Sequence, residues 1–362
     1  MEGHLITVDG ISHDVDESTI GGLLDASARF WLDLACPDPD EYLSLLRDVF
    51  RFHPLAVEDA EHFGQRPKID TYEDFALLVV YGASPQGRLV EVHCFYTGNY
   101  LVTVHHDSCP NLAALAERME HRAGGGMDHV MMLYRVVDSL VDGYFPVLSA
   151  MDDQIDEIED EILARPTDEQ LGRLFDMKRS LISLRKVVTP QRDMFATVMS
   201  DRNLLPGMTA DAERYFRDLY DHLIRISDLV DSYRDLLSGA LDTHLSTVSN
   251  RLNVVMKQLT LIATVFLPLT FLTGFFGQNF GWMINRIDSI GAFFGLGIAV
   301  PIAIALGLYI LFRSRGWLTS TGVAPERSEG DVRTALRRGG SEKDRRLQLL
   351  HSRPAVSESR YP

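Results

Sequence analysis

A row of side chains that could line a path for a cation lies in the last third of the chain, within Asp235 to Asn279. Counting back from Gly277 in alternating steps of three and four gives Gly274, Thr270, Leu267, Ala263, Thr260, Met256 and Asn253, then Ser249, Ser246, Asp242, Gly239 and Asp235. The spacing is that of a heptad-like seam with a period near 3.5. Its members are small or oxygen-bearing nearly throughout, while Leu, Ile, Val and Phe occupy the other faces. Small residues let helices pack closely in a membrane, whereas a polar seam shared by several chains encloses water. Asp242 and Asn253 favour the second arrangement, because close packing does not favour a carboxylate or an amide. Thr270, Asn253 and Asp242 would then offer oxygens to an ion. Met256, Leu267 and the neighbouring Leu259 would form apolar constrictions, of the kind that close a channel by dewetting, or would pack between helices.

The elements that must position this seam are helical. Gln258 to Phe276 contains no charged residue and is about as long as a bilayer-spanning helix, roughly 20 residues. No Pro or helix-stopping Gly interrupts the stretch between Thr209-Ala210-Asp211 and the membrane, so one helix of some 65 residues is expected, on the order of 100 Å long. A helix of that length needs partners, and its continuous seam makes the partners copies of itself. After a short linker, Phe280 to Ser289, a second apolar span runs from Ile290 to Phe312. Arg313 and Arg315 follow it as a cytosolic stop. Two spans place both termini on one side, and the charged N-terminal part without a signal peptide puts that side in the cytosol.

Upstream, β-rich runs at Leu5–Val8, Arg29–Leu32, Phe75–Val80, Leu89–Val92 and Tyr100–Val104 alternate with helical stretches near Pro37–Phe50 and Asn111–Arg122. Gly98-Asn99 reads as a turn. Gly124–Gly126 breaks this pattern, and helical spacing then continues from Met127 to Ala164 and from Thr167 or Asp168 to about Met199. The expected fold is an α+β membrane protein. Its parts are an α/β cytosolic domain over 1–123, acidic antiparallel helices over 124–206, a stalk helix over 207–257 and a pore helix with its signature over 258–279. An outer loop at 280–289, a second span at 290–312 and a basic, disordered tail at 313–362 complete it.

The chain has 362 residues, a formal net charge of −16 and 46% hydrophobic residues, which describes a folded acidic protein. Acidity argues against nucleic acid as a partner and is compatible with cations. Cys36, Cys94 and Cys109 lie far apart without a CxxC, as expected for reduced thiols.

The string VMKQLTLIATVFLPLTFLTGFFGQNF, Val255 to Phe280, resembles the first transmembrane helix and signature of the CorA family of divalent-metal transporters, as do His53-Pro54-Leu55, Glu58-Asp59 and Gln65-Arg66-Pro67-Lys68 upstream. The family's Gly-Met-Asn is Gly277-Gln278-Asn279 here. The resemblance implies a homopentamer with one pore helix per subunit, the Gly-x-Asn of each forming a ring at the outer mouth. Mg²⁺ dehydrates reluctantly, so a ring of neutral amide oxygens holds a hydrated dication without trapping it. Selectivity is therefore expected at Gly277, Gln278 and Asn279, with pore lining by Asp242, Asn253, Met256, Leu259, Thr260, Ala263, Leu267, Thr270 and Gly274. Asp218 falls where the family carries a carboxylate for a regulatory cytosolic metal. Asn279 and Asp218 are thus the expected metal contacts, and Mg²⁺ the transported and regulatory ion, with Co²⁺ and Ni²⁺ secondary.

Other residues have plainer readings. The acidic stretch Asp152-Asp153, Asp156-Glu157 and Glu159-Asp160-Glu161 reads as a solvated helix face in preference to the regulatory Mg²⁺ carboxylates that the resemblance implies for acidic helices around the stalk. His105-His106-Asp107-x-Cys109 looks like a metal cluster on paper, but adjacent residues at a strand end point opposite ways. Where many family members have Met-Pro-Glu-Leu, this chain has Gly281–Asp288, with Asp288 beside Arg286 and almost no net charge. There is no P-loop, nucleophile elbow or HExxH, so an enzyme is not expected. Downhill entry needs none of these, since moving two charges through 100 mV is worth about 4.6 kcal/mol. The alternatives are a Zn²⁺ transporter of the same family and a membrane-anchored sensor or scaffold without ion flux. A signalling coiled coil would prefer Leu or Ile along the seam.

Overall fold

The computed structural model describes residues 3–7, 10–12, 16–35, 39–120, 128–278, 280–285, 287 and 289–317. The backbone divides into two units, and the division between Leu241 and Asp242 falls inside one long helix.

The first unit begins with the hairpin β1 (Gly3–Thr7) and β2 (Gly10–Ser12), followed by α1 (Glu17–Asp25) and β3 (Phe30–Ala35). The Asp16 carboxylate caps α1 by accepting from the Thr19 N–H at 2.6 Å. Next come α2 (Pro39–Ser44), which widens into a π-type turn over Leu45–Val49, and α3 (Pro54–Glu61). The strands β4 (Lys68–Thr71), β5 (Phe75–Ala83), β6 (Leu89–Thr97) and β7 (Tyr100–His105) then lead to α4 (Pro110–Glu120). Among the described residues the strands form one seven-stranded sheet in the order β2-β1-β3-β7-β6-β5-β4, antiparallel except where β3 and β7 run parallel.

β5 reads FALLVVYGA and is buried at every position. A strand covered on both faces shows such a continuous apolar run rather than an alternation. One face of the sheet packs Phe30, Leu32, Phe75, Phe95 and Val102 against Ile20, Tyr42, Leu46 and Ala56 of the first helices. Phe52 joins them with its ring 4.6 Å from Phe95 and 4.7 Å from Phe75. At the β6–β7 turn the Thr97 hydroxyl accepts from the N–H groups of Asn99 and Tyr100 at 3.2 and 2.9 Å, so Gly98-Asn99 is a turn as the sequence indicates.

The helices that follow are α5 (His129–Asp142), α6 (Tyr144–Ala164), α7 (Asp168–Ser200) and α8 (Ala210–Phe276). The single helix expected over 127–164 is therefore two. Gly143 stands between them, and an added Cβ there would lie 2.5 Å from the Ala83 carbonyl at the end of β5, so the α5–α6 junction sits directly on the sheet. Thr167 caps α7 in a full capping box with Gln170. In this unit α8 buries Phe216, Leu219, Leu223, Ile226, Val230, Tyr233 and Leu237 at three- and four-residue spacing.

The second unit continues α8 to Phe276 and adds α9 (Gly281–Ile284), α10 (Ile290–Ala292), a π-wound stretch over Phe293–Ala299 and α11 (Val300–Ser314). The π stretch ends just before Pro301, whose ring and missing N–H disturb the preceding turn of a regular α-helix. Two helical stretches, the end of α8 and Ile290–Ser314, are long and apolar enough to cross a membrane, and none of the described residues buries their apolar windows.

Candidate ion path and cation cluster

Every seam residue expected from the sequence between Asp242 and Gly274 lies on α8, and each is exposed in the single chain. Met256 is 59% and Leu267 72% exposed, and Leu259, one residue off the seam, is 60% exposed. The apolar flanks are equally bare, with Ile262 at 56%, Phe266 at 63% and Phe271 at 69%. A helix exposing both an apolar flank and a polar seam needs two different coverings: lipid for the first, and other helices or water for the second. The Thr260 hydroxyl donates to the Met256 carbonyl at 2.7 Å, and the Thr264 hydroxyl to the Thr260 carbonyl at 2.7 Å. Each such hydroxyl spends its proton on its own helix and leaves oxygen lone pairs free. Pro268 has no N–H for the carbonyl one turn before it. The Gly277 N–H still donates to the Thr273 carbonyl at 2.9 Å and the Gln278 N–H to that of Phe275 at 3.3 Å. α8 thus closes directly into the signature, where Gln278 is exposed. Asn279, Arg286 and Asp288 lie outside the described residues.

A second constellation forms in the first unit. Asp138 and Asp142 sit four residues apart on α5, and Asp218 and His222 four apart on α8, so each pair shares a helix face. His222 stands between carboxylates, its Nδ1 3.8 Å from Asp138 Oδ1 and its Nε2 3.8 Å from Asp218 Oδ2. Ligand-type atoms of Asp138, Asp142 and His222 all lie within 4.8 Å of one another. The His222 side chain is only 9% exposed, and its Nδ1 has no hydrogen-bond partner. The Phe145 ring meets His222 edge-on at 5.9 Å. Beside them, burial and then Asp138, Asp218 and Asp142 push the Tyr134 phenol up from its ordinary pKa, which marks a concentrated negative field. Asp138 and Asp142, brought together here, repel unless a cation joins them, and a mixed oxygen and imidazole set suits a divalent ion.

Asp218 was anticipated from the sequence; Asp138, Asp142 and His222 were not. Their signal is a pair of i, i+4 patterns, Asp-x-x-x-Asp and Asp-x-x-x-His, which are common on helices and gain meaning only when two of them face each other.

The remaining expectations resolve separately. His105 Nδ1 lies 2.7 Å from the Asp107 carbonyl and Nε2 3.4 Å from Asp33, while the His106 ring stacks on Phe63 at 5.3 Å. The two imidazoles therefore have different surroundings and do not converge. The acidic stretch of α6 is not simply a solvated face. Asp152 is buried, and Arg173 of α7 pairs with Glu161 at 2.9 Å and Glu157 at 3.4 Å.

Comparison with known proteins identifies the family. The sequence profile described as CorA-like Mg2+ transporter protein matches residues 27–314. The cobalt/magnesium transport protein CorA of Thermotoga maritima is 34% identical over 303 residues, covering 81% of this chain and 85% of that protein. The zinc transport protein ZntB of Yersinia enterocolitica is 28% identical over 296 residues, covering 79% of this chain and 86% of its own. Among solved structures, the CorA magnesium transporter of Methanocaldococcus jannaschii superposes with a TM-score of 0.72 at 22% identity, over 80% of this chain and 91% of that one. That likeness establishes a shared fold: an N-terminal α/β part, a long helix and two apolar helices. With the profile spanning most of its length and a relative at this level of identity, the chain belongs to the CorA-like Mg²⁺ transporter family and is a divalent-cation transporter of that family.

Proposed function

We propose that the chain assembles as a homopentamer and admits Mg²⁺, with Co²⁺ and Ni²⁺ as secondary ions, through a pore lined by the α8 seam. Asp242, Asn253, Thr260, Ala263, Thr270 and Gly274 face the axis, and Met256, Leu267 and Leu259 form its apolar constrictions. Gly277, Gln278 and Asn279 make the selectivity ring. The location is the plasma membrane, with the first unit and both termini in the cytosol. The observation that carries this reading is the exposure of a polar seam and an apolar flank on the same helix, because a water-bearing axis inside a lipid-facing assembly covers both.

A regulatory dication binds between Asp138, Asp142 and the Nδ1 side of His222, with Asp218 on the Nε2 side holding the imidazole in place. Occupied, the cluster ties α5 to α8 and favours the closed pore. Emptied, its carboxylates repel and the helices shift. A ligand moves such an equilibrium only by its differential affinity for the two states, and three carboxylates around one imidazole supply that difference.

The test is Mg²⁺ entry into liposomes bearing purified protein, read with an internal dye, for wild type and Asn279→Ala, with Zn²⁺ run in parallel. Flux lost in the variant supports the proposal. Zn²⁺ flux without Mg²⁺ flux would move the chain to zinc transport and direct attention to Gln278. No flux of either ion from a well-formed oligomer, with and without internal Mg²⁺, would leave the sensor reading.

A further inference from the structure

One buried tyrosine on β5 is held from three sides by groups that otherwise have no common element. α5 ends at Asp142, a member of the cation cluster, and Gly143 alone separates it from Tyr144, the first residue of α6. The fully buried Tyr144 hydroxyl donates to the Tyr81 carbonyl at 2.9 Å. From α7, the Gln191 side chain accepts from the Tyr81 N–H at 2.7 Å and donates to the Tyr81 carbonyl at 3.2 Å. The pairing of β4 with β5 ends at Lys68↔Val79, so this amide stands in for the strand that Tyr81 lacks on that side.

The Tyr81 hydroxyl faces the loop between α3 and β4, with the Gln65 carbonyl at 2.5 Å and Glu91 Oε2 at 2.8 Å. Glu91 is itself buried and accepts from the Gly64 N–H at 2.5 Å, the Gln65 N–H at 3.2 Å and His93 Nε2 at 2.8 Å. Beyond this loop, Lys68 bridges Asp59 at 2.6 Å and Asp70 at 2.9 Å. The backbone of Tyr81 thus answers to the α5–α6 junction, and its hydroxyl to the loop.

We infer that Tyr81 is the junction through which filling or emptying of the Asp138–Asp142–Asp218–His222 cluster is transmitted to the α3–β4 loop. The inference rests on the reading of that cluster as a cation site. Gly143 has no side chain to cushion the α5–α6 junction, so movement of Asp142 toward or away from a bound ion bears on Ala83 and, through Tyr144, on Tyr81. Close-packed interiors pass on such shifts rather than absorbing them. In the structure the Gly64 and Gln65 N–H groups of the loop are held by Glu91, and their release to water is the second arrangement that the relay requires.

Hydrogen exchange on the full chain in detergent, with and without Co²⁺ as the probe, tests this. In wild type, Co²⁺ is expected to slow exchange around Asp138–Asp142 and Asp218–His222. It is also expected to change exchange at Gly64 and Gln65 by roughly fivefold, the population shift worth one net hydrogen bond. Tyr81→Phe should keep the first response and lose the second. Tyr144→Phe, which deletes a single bond and perturbs folding less, should weaken the second. A cluster response with an unmoved loop in wild type, or a loop response that persists in both variants, would overturn the relay. Absence of any response at the cluster would instead overturn the cation-site reading, and the relay with it.

Discussion

His222 Nδ1 on α8 faces Asp138 Oδ1 on α5 across 3.8 Å, nine-tenths buried and without a hydrogen-bond partner. A buried polar atom left unpaired costs free energy, and the cation proposed for this cluster would satisfy the His222 nitrogen. Imidazole suits Co²⁺ and Ni²⁺ better than Mg²⁺, which prefers oxygen. His222→Ala is expected to weaken Co²⁺ binding by at least about tenfold, the scale of a well-placed partner in a metal site, while changing Mg²⁺ binding less. Asp218→Asn should weaken both. Titration calorimetry on the full chain separates these outcomes, and equal losses for both ions in His222→Ala would remove the imidazole from the ligand set.

Along α8, Leu267 and Met256 are the large apolar residues of the seam. An apolar constriction closes by dewetting, so Leu267→Asn should keep it wet. The expected result is Mg²⁺ flux into liposomes that persists at internal Mg²⁺ concentrations that silence wild type. Unchanged closure in Leu267→Asn and Met256→Ser would place the barrier elsewhere.

The buried His105–Asp33 pair predicts how stability depends on pH. Burial alone would lower the His105 pKa, but the nearby Asp33 carboxylate and the Asp107 carbonyl outweigh it, and the pKa is raised. A raised histidine pKa gives stability that is complete below the unfolded value, about 6.5, and is lost as pH rises through the folded value. Asp33→Asn removes that contribution. The gap in melting temperature between wild type and variant should therefore narrow as pH rises above neutral, and a gap that widened would contradict the pairing.

Glu91 works in the opposite sense. Burial would raise its pKa, but His93, the Gly64 N–H and the Tyr81 hydroxyl together hold it below the ordinary carboxylate value. Its stabilisation is present above the unfolded value, about 4.3, and is lost as pH falls through the folded one. Glu91→Gln should flatten the acid limb of the stability profile measured by thermal unfolding.

Gln191→Leu removes the amide that pairs with the Tyr81 backbone and leaves its N–H without that acceptor. A buried unsatisfied group costs about 1–3 kcal/mol, and a lowered melting temperature of the full chain in detergent is the expected outcome. No change would mean that water replaces the amide.

Several features were legible because they are local. The period of the α8 seam, the charge-free stretch from Gln258 and the capping residue before α7 depend on neighbours within a few turns, and the structure has a 67-residue helix over Ala210–Phe276. α3 was not anticipated, although His53 accepts from the Leu55 N–H at 3.2 Å ahead of Pro54 at the first helical position. β4 was missed because Lys68-Ile69-Asp70-Thr71 has little strand preference of its own and is held by pairing with β5. The close approach that requires glycine at 143 involves the Ala83 carbonyl, which belongs to a different element. Sequence alone therefore determined the family, the long helix and the polar seam, since helical period and apolar length are properties of consecutive residues. Only the tertiary structure decided that Asp138, Asp142, Asp218 and His222 meet and that Tyr81 is gripped by Tyr144 and Gln191. Contacts between distant segments are set by which faces pack together, and no local pattern records that choice.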